Sequence, residues 1–595
     1  MVLFQSINNF ADPQGGIGLP SARRRRLYIP PSTNYPLFSY GDGDDQRSFL
    51  SLIETGSHIT DLDDDNSDAA SVSTSRSLPS SLSSVNTDHE SLRSWLLEES
   101  QRSYSAAQSE DEDNLSNHSR YSRTSLLSSK FSTHDFGSLH TSYSKELSVI
   151  CQYSFPLIIT FLLEHLFSIV CLIVVGHLGK DELAAVSLGS MTTTITFAVF
   201  EGIATALDTL CPQAYGAKNY ELVSIHVQRC LLFSLVAYVP CAIAWWYSSV
   251  YLKYIIDSDN VLKMTESFLR ILTLGGPGYI FFEVSKRFLQ AQGIFEAGTG
   301  ILFLSAPINI FLSWFLVWNE KFGMGFNGAP IATVINFYLM DILLILYVMF
   351  IDGKKCWFGL ASVSDLCKQW GNLSKLAIPG IVMLESEYFA YEIMTLMASY
   401  MGTVDLAAQS AVSSIASLTY MIPFAISIAG STRVANFIGG HNIRGAQIAI
   451  RVTLFVGLVA AFINCLVLFS LKSHIASIFT SDTDVKSLVI DLFNPLVSVI
   501  QIFDGLACVS SGILRAEGSQ RIGGYINFLA YYAVAIPSSL ALNKLFDLKL
   551  FGLWLGIGGG MILIAISEIL VIVNSDWDHI MMKAELLNDA AFDSD

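Results

Sequence analysis

Charge is scarce in this chain: only 15% of its 595 residues are Asp, Glu, Lys or Arg, against 51% hydrophobic, and mean hydropathy is +0.46. That balance excludes an ordinary soluble globular protein of this length. Basic residues are scarcer still, 35 against 52 acids for a net charge of −17, so nothing supplies the field that binding nucleic acid requires. The nine cysteines (Cys151, Cys171, Cys211, Cys230, Cys241, Cys356, Cys367, Cys465, Cys508) include no CxxC pair and no Cys/His cluster at metal-ligand spacing. They read as small buried hydrophobes, and no metal or cofactor is expected. The opening MVLFQSINNFADPQGG lacks a basic start followed by an apolar core, so no cleavable signal peptide is expected and the first membrane span must direct insertion. No nucleophile–base constellation or phosphate loop is visible, which argues against an enzyme.

What charge there is sits unevenly. Residues 1–145 hold 12 basic and 19 acidic residues, a net of −7, and the remainder holds 23 and 33, a net of −10. The segment 1–146 is an acidic, Ser-rich stretch with runs such as DLDDDNSD and SVSTSRSLPSSLSSVN. It has too little apolar surface to offset its ordering entropy, and is expected to be a disordered cytosolic tail. Its Arg23–Arg26 run reads as a solvated charge cluster, with acidic lipid or a trafficking factor as the alternative. SRYSRTS around Arg120 and Arg123 is a candidate kinase substrate; mass spectrometry finding no phosphoserine there would remove it.

From about residue 147 apolar runs dominate. A bilayer core roughly 30 Å thick takes about 20 apolar residues per helix. Such spans fall near 149–173, 185–207, 227–250, 267–290, 297–319 and 328–351, and again near 373–397, 407–430, 447–470, 490–513, 523–543 and 551–573. They define an N-terminal six-helix lobe (147–351), a linker (352–372), a C-terminal six-helix lobe (373–574) and a C-terminal tail (575–595). With both termini cytosolic, connections and helix ends on that side carry about 14 Lys/Arg against about 9 opposite. The cytosolic set counts Lys286, Arg287, Arg433 and Arg515 among others.

The lobes superpose without a gap at an offset of 223: Pro156 on Pro379, Glu164 on Glu387, Gly179 on Gly402, Thr209 on Thr432, Gly216 on Gly439 and Asn219 on Asn442. A second register, shifted by two, lays Leu289-x-Ala291-x-Gly293 on Leu514-x-Ala516-x-Gly518. An ungapped series over about 60 residues is the signature of duplication. Six spans separate equivalent positions, and six is even, so the halves share one orientation. The fold class expected is therefore an all-α polytopic membrane protein of 12 transmembrane helices, in two six-helix lobes related by a pseudo-two-fold axis along the membrane normal. Such repeats enclose a central site and expose it alternately on each side, which points to a secondary transporter.

The segments VGHLGKDELAAVSLG (175–189), ALDTLCPQAYGAKN (206–219), KRFLQAQG (286–293), DLAAQSAV (405–412), STRVANFIGG (431–440) and GILRAEGSQRIGGYIN (512–527) resemble the multidrug and toxic compound extrusion (MATE) family over about 147–575. The long acidic tail looks like that of fungal members. The resemblance implies export of organic solutes driven by inward proton or sodium movement. Eukaryotic members are usually proton-coupled antiporters for organic cations, while plant and fungal relatives extend to anions and metabolites.

Charge inside a membrane is expensive, so intramembrane carboxyls are candidate sites. The spans hold Glu164, Glu201, Asp208, Glu283, Asp341, Glu385, Glu387, Glu392, Asp504 and Glu568. No Lys or Arg is expected deep enough in most spans to pair with them, which leaves protonation or cation binding. The family's seventh helix often carries Glu, two aromatics, a small residue, Tyr or Phe, then Glu; here Glu387-Tyr388-Phe389-Ala390-Tyr391-Glu392 matches, so the resemblance gives Glu387 and Glu392 the cation or proton role. It also matches the family's acidic position on the tenth helix to Asp504, one carbon shorter than the usual Glu. Glu387 and Glu392 lie about 140° apart on an ideal helix, whereas Glu385 and Glu392 share a face, roughly 10.5 Å apart along the axis. Either the helix is distorted, or Glu385 and Glu392 line the cavity while Glu387 turns toward a neighbour. Glu164 is of interest as the repeat partner of Glu387; a hydrogen-bonded packing role is its alternative. Asp208, beside a family segment, orients a helix end or handles ions. Pro156 and Pro379 are expected to bend their helices.

Tyr388, Tyr391, Phe389, Tyr420 and Phe424 offer faces to an organic cation or to lipid. His165 and His177 are weak relay candidates beside the commoner hydrogen-bonded role. The reading is an antiporter exchanging small organic solutes, organic cations or xenobiotics first, for protons rather than sodium. Export of anionic or zwitterionic metabolites and lipid flipping are the alternatives. The vacuolar membrane is the expected location and the plasma membrane the alternative.

Overall fold

A computed structural model describes residues 141–254, 258–480 and 482–589. The proposed tail, its Arg run and its SRYSRTS segment thus lie outside the described residues, except positions 141–146. There the first helix has already begun. Ser142 caps it, its hydroxyl accepting from the Lys145 amide, so the helix starts ahead of the expected 147.

The described chain is almost wholly helical. Ten helices are long and apolar enough to cross a membrane: α1 Tyr143–Gly176, α2 Lys180–Gly216, α3 Tyr220–Trp246, α5 Glu296–Trp318, α6 Gly325–Phe350, α8 Thr403–Gly439, α9 Ile443–Ile478, α10b Leu496–Ala516, α11 Gln520–Phe546 and α12 Lys549–Val573. Two further helices complete the twelve. The fourth is broken into α4a Asp259–Leu272 and α4b Gly276–Ala291; the seventh, α7 Trp370–Ser399, carries Glu385, Glu387 and Glu392 along its length. The tenth is broken like the fourth, α10a Thr483–Leu492 preceding α10b. At the first break the freed carbonyls of Thr273 and Leu274 accept from the Tyr238 and Tyr338 hydroxyls, at 2.9 and 2.7 Å. A break at membrane depth survives only with such partners. A last helix, α13 Trp577–Asp589, occupies most of what the sequence left as a tail.

The duplication is written into the backbone. Asn219 caps α3 through the Leu222 amide, and Asn442 caps α9 through the Gly445 amide, each preceded by a left-handed residue, Lys218 (φ 61°) and His441 (φ 53°). Both pairs are 223 apart. Near these turns α2 and α8 cross so closely that Gly216 abuts the Asn436 carbonyl and Gly439 abuts the Gln213 carbonyl, leaving no room for a Cβ at either. Gln213 and Asn436 are themselves 223 apart. The contact therefore maps onto itself when the lobes are exchanged, and the pseudo-two-fold axis passes through it.

Polar contacts seal the lobes together at this end. The Thr209 hydroxyl donates to the Arg515 carbonyl, Gln213 Nε2 to the Ala516 carbonyl at 2.9 Å, and Gln520 Nε2 to Thr209 Oγ1 at 2.6 Å. Arg433 on α8 forks onto Glu146 on α1 at 2.7 and 2.9 Å. Deeper in, Gly202 on α2 packs on the Ile381 backbone of α7 and Gly380 on Thr205. Apolar packing continues the contact: Leu157 and Phe161 of α1 share a cluster with Phe424, Ala425 and Ile428 of α8. Both ends of the helical region, α1 and α12, come to this sealed end.

Candidate functional site

Past the seal the lobes part around a cavity of ≈ 330 Å³. The N-terminal lobe presents Glu164, Glu201 and Glu283 to it, and the C-terminal lobe Glu387 and Asp504. Aromatic rings fill much of the remaining wall: Phe161, Phe197, Tyr279, Phe282 and Phe337 on one side, Tyr388, Tyr391, Tyr420 and Phe424 on the other. No lysine or arginine is among the described residues lining it.

Helix periodicity decides which acids of α7 belong here. Leu384, Glu387, Tyr388 and Tyr391 all line the cavity, spaced as one face of a regular helix. Glu385 and Glu392 do share a face, but it is a neighbouring one, and neither lines the cavity. Of the two arrangements the sequence left open, neither is found: α7 runs unbroken over Trp370–Ser399, and Glu387 is the inward acid. Glu385 is buried with both carboxyl oxygens lacking hydrogen-bond partners, and Glu392 Oε1 is likewise buried without one.

The C-terminal carboxyls have neutral, long contacts. The Tyr420 hydroxyl donates to Glu387 at 3.4 Å, and Gln501 Nε2 to Asp504 at 3.4 Å while its own Oε1 accepts from Thr419. Glu568, fully buried behind them, is saturated by Ser510, Ser511 and Asn527 at 2.7–2.9 Å, which makes it a packing carboxyl. Outside the described cavity, Asp341 is buried with Oδ1 unpartnered.

The N-terminal lobe is different, and here one expectation fails. Basic residues do reach the carboxyls. Lys286 on α4b pairs with Glu164 at 2.8 Å and Glu283 at 2.5 Å, and Arg287 with Asp208 at 2.7 Å. Arg515 reaches the same Asp208 from the other lobe at 3.4 Å. Lys286, Arg287 and Arg515 are only 3–4% exposed, so they are interior partners, not the solvated charges of connections and helix ends they were counted among. Periodicity explains the error: they sit where α4b and α10b approach the sealed end, and hydropathy does not tell a buried helix end from a solvated one. Asp208, held between two guanidiniums from two lobes, ties the seal together and does not line the cavity. The i,i+3 spacing of Glu283 and Lys286 was the available signal for this network. His165 lines the cavity, whereas His177 Nδ1 meets the Ile173 carbonyl at a helix end. Phe389 is 42% exposed and faces away.

Comparisons with known proteins agree with this architecture. The MatE family profile matches residues 156–315 and 379–540, two stretches beginning 223 residues apart and ending 225 apart, the same two offsets found in the sequence. The chain is 51% identical over 454 residues to an uncharacterized transporter of Saccharomyces cerevisiae, YDR338C, a match covering 76% of this chain and 65% of that one, just under two thirds of its length. It is 30% identical over 453 residues to human multidrug and toxin extrusion protein 1, covering 75% of this chain and 78% of that one. Among solved structures, the eukaryotic MATE transporter AtDTX14 superposes with a TM-score of 0.70 at 28% identity, covering 76% of this chain and all of that one. A twofold MatE profile, twelve helices in two related lobes and a cavity between them lead to one assignment: the chain belongs to the MatE family of multidrug and toxin extrusion transporters.

Proposed function

We propose that the protein is a secondary antiporter that exports organic cations in exchange for protons by alternating access. The observation that carries this reading is the cavity wall: five carboxyls and eleven Phe or Tyr rings, with no lysine or arginine among the described lining residues. Acids supply charge and ring faces supply cation–π attraction, the combination that holds an organic ammonium in a partly dehydrated site. Glu387 and Asp504, contacted only by a tyrosine hydroxyl and an amide, are the pair we assign to alternate between proton and cargo. Proton binding at the open end releases cargo, and proton loss at the other side restores affinity. We place the sealed end in the cytosol, because Lys218, Arg433 and Arg444 gather at it and cytosolic connections carry the excess of basic residues. The cavity then faces the vacuolar lumen or the cell exterior.

Proteoliposomes with an imposed pH gradient test this directly. A fluorescent organic cation should accumulate against its gradient, and dissipating the pH difference should stop it. Uptake that follows sodium and ignores pH would overturn the coupling. Movement of labelled lipid alone would replace the cargo assignment with flipping.

A further inference from the structure

The Lys286 ammonium sits in a cage built as for a ligand. Two carboxylates, Glu164 and Glu283, accept from it at 2.8 and 2.5 Å. Two ring faces, Phe161 and Phe282, lie 5.4 and 5.5 Å from its nitrogen, within cation–π range. All four cage residues line the transport cavity, but Lys286 does not: it enters from behind the wall. The cage is also incompletely used, because Glu283 Oε2 is buried with no donor. Behind the wall, a void of ≈ 10 Å³ is bordered by Lys286 and, one helical turn on, by Gln290. Gln290 Oε1 is buried and has no partner either.

We infer that Glu164, Glu283, Phe161 and Phe282 form a primary-ammonium subsite facing the cavity, which Lys286 fills as a tethered placeholder and yields to an ammonium group of the cargo. The cage keeps its own charge, since one –NH3+ leaves the two carboxylates as another arrives; the site as a whole gains the cargo's positive charge, and the displaced Lys286 ammonium donates to Gln290 Oε1. A primary ammonium has three N–H donors for this cage; a quaternary ammonium has none and is wider. The subsite therefore selects protonated amines within the broader organic-cation class, and in this it rests on the function proposed above. Lys286 also lowers apparent affinity for such amines, since each must displace it.

Binding of n-hexylammonium and of tetraethylammonium to the purified full-length protein, by calorimetry, tests the subsite. Lys286→Met should bind hexylammonium at least tenfold tighter than wild type, with tetraethylammonium unchanged within twofold. Lys286→Arg, which keeps a tethered cation, should stay near wild type. Gln290→Leu, which removes the acceptor for the displaced lysine, should weaken hexylammonium severalfold and spare tetraethylammonium. No gain for hexylammonium in Lys286→Met, or an equal gain for both cations, overturns the inference and leaves Lys286 a structural counter-ion. Should Lys286→Met not fold, Gln290→Leu decides: unchanged hexylammonium affinity overturns it. If neither cation binds wild type, the organic-cation reading of the cavity fails, while hexylammonium binding by Lys286→Met still decides the cage.

Discussion

Glu164 and Glu387 occupy equivalent positions 223 residues apart and face one cavity from opposite lobes, yet only Glu164 has a basic partner. In the register that aligns Leu289 with Leu514, the counterpart of Lys286 is Ser511, and Ser511 is engaged with Glu568. The duplicated scaffold thus carries two chemically different halves. One holds its carboxyl as an ion pair; the other leaves a carboxyl facing the cavity with a single long neutral contact at 3.4 Å. At these two equivalent positions the carboxyl that faces the cavity without a counter-ion is the C-terminal one.

That asymmetry sorts the acids of α7. Glu387→Gln should weaken organic-cation binding by roughly ten- to a hundredfold, the loss of one charge-assisted contact of about 1.5–3 kcal/mol, and stop gradient-driven uptake. Glu392→Gln, whose carboxyl does not line the cavity, should keep the dissociation constant within about twofold. Equilibrium binding on both variants is the check, and equal weakening would return Glu392 to the binding wall.

The seal makes a separate energetic claim. Glu146 is fully buried and its bidentate contact with Arg433 joins the lobes. Removing one partner leaves the other charge stranded, at a cost of about 3–5 kcal/mol. Glu146→Ala and Arg433→Ala should each lower thermal stability markedly, and the double variant by much less than their sum. Additive losses in that double-mutant cycle would show that the pair does not couple the lobes.

Most of the architecture was legible because membrane helices announce themselves: twelve apolar runs and one repeat offset suffice for two lobes of known orientation. The inward face of α7 was within reach of helix periodicity, but periodicity gives relative angles and not which direction is the cavity; that depends on where α2 and α8 pack. Lys286, Arg287 and Arg515 escaped for a related reason. They lie near helix ends, where a charge is ordinarily solvated, and only the tertiary crossing of α2, α4b and α10b buries them. The helix α13 was missed because its apolar residues, Ile580, Met581 and Ala584, make a short stripe that becomes a helix face only against α8 and α10b.

The crossing at Gly216 and Gly439 predicts a conformational phenotype. A side chain at either position meets backbone carbonyls that cannot move aside. Gly439→Val should push α2 and α8 apart, destabilising the sealed state by about 1–3 kcal/mol. Spin labels placed on the two lobes at this end should report longer separations than in wild type. An unchanged distance distribution would show that the lobes do not close here.

A pH effect is expected just beyond α10b, where Glu517 is buried against the segment leading into α13. One of its oxygens accepts from Ser575 at 2.9 Å and the other, Oε1, has no partner. Burial pushes the Glu517 carboxyl up from 4.5 to about 7, opposed by the Ser575 hydrogen bond. A carboxyl with a raised folded-state pKa binds its proton more tightly when folded, so undocking releases a proton in the window between those values. The attachment of α13 is therefore firmest in acid, weakens as pH rises through about 7, and levels off above it. Lys583 on α13, lowered by burial, acts in the opposite direction at higher pH, so the comparison belongs below about pH 8. Hydrogen exchange over Trp577–Asp589, corrected for intrinsic rates, should show protection falling from about pH 5 to about pH 8. Glu517→Gln, which keeps the Ser575 contact without the titration, should flatten that slope; an identical slope in the variant would assign the effect to another group.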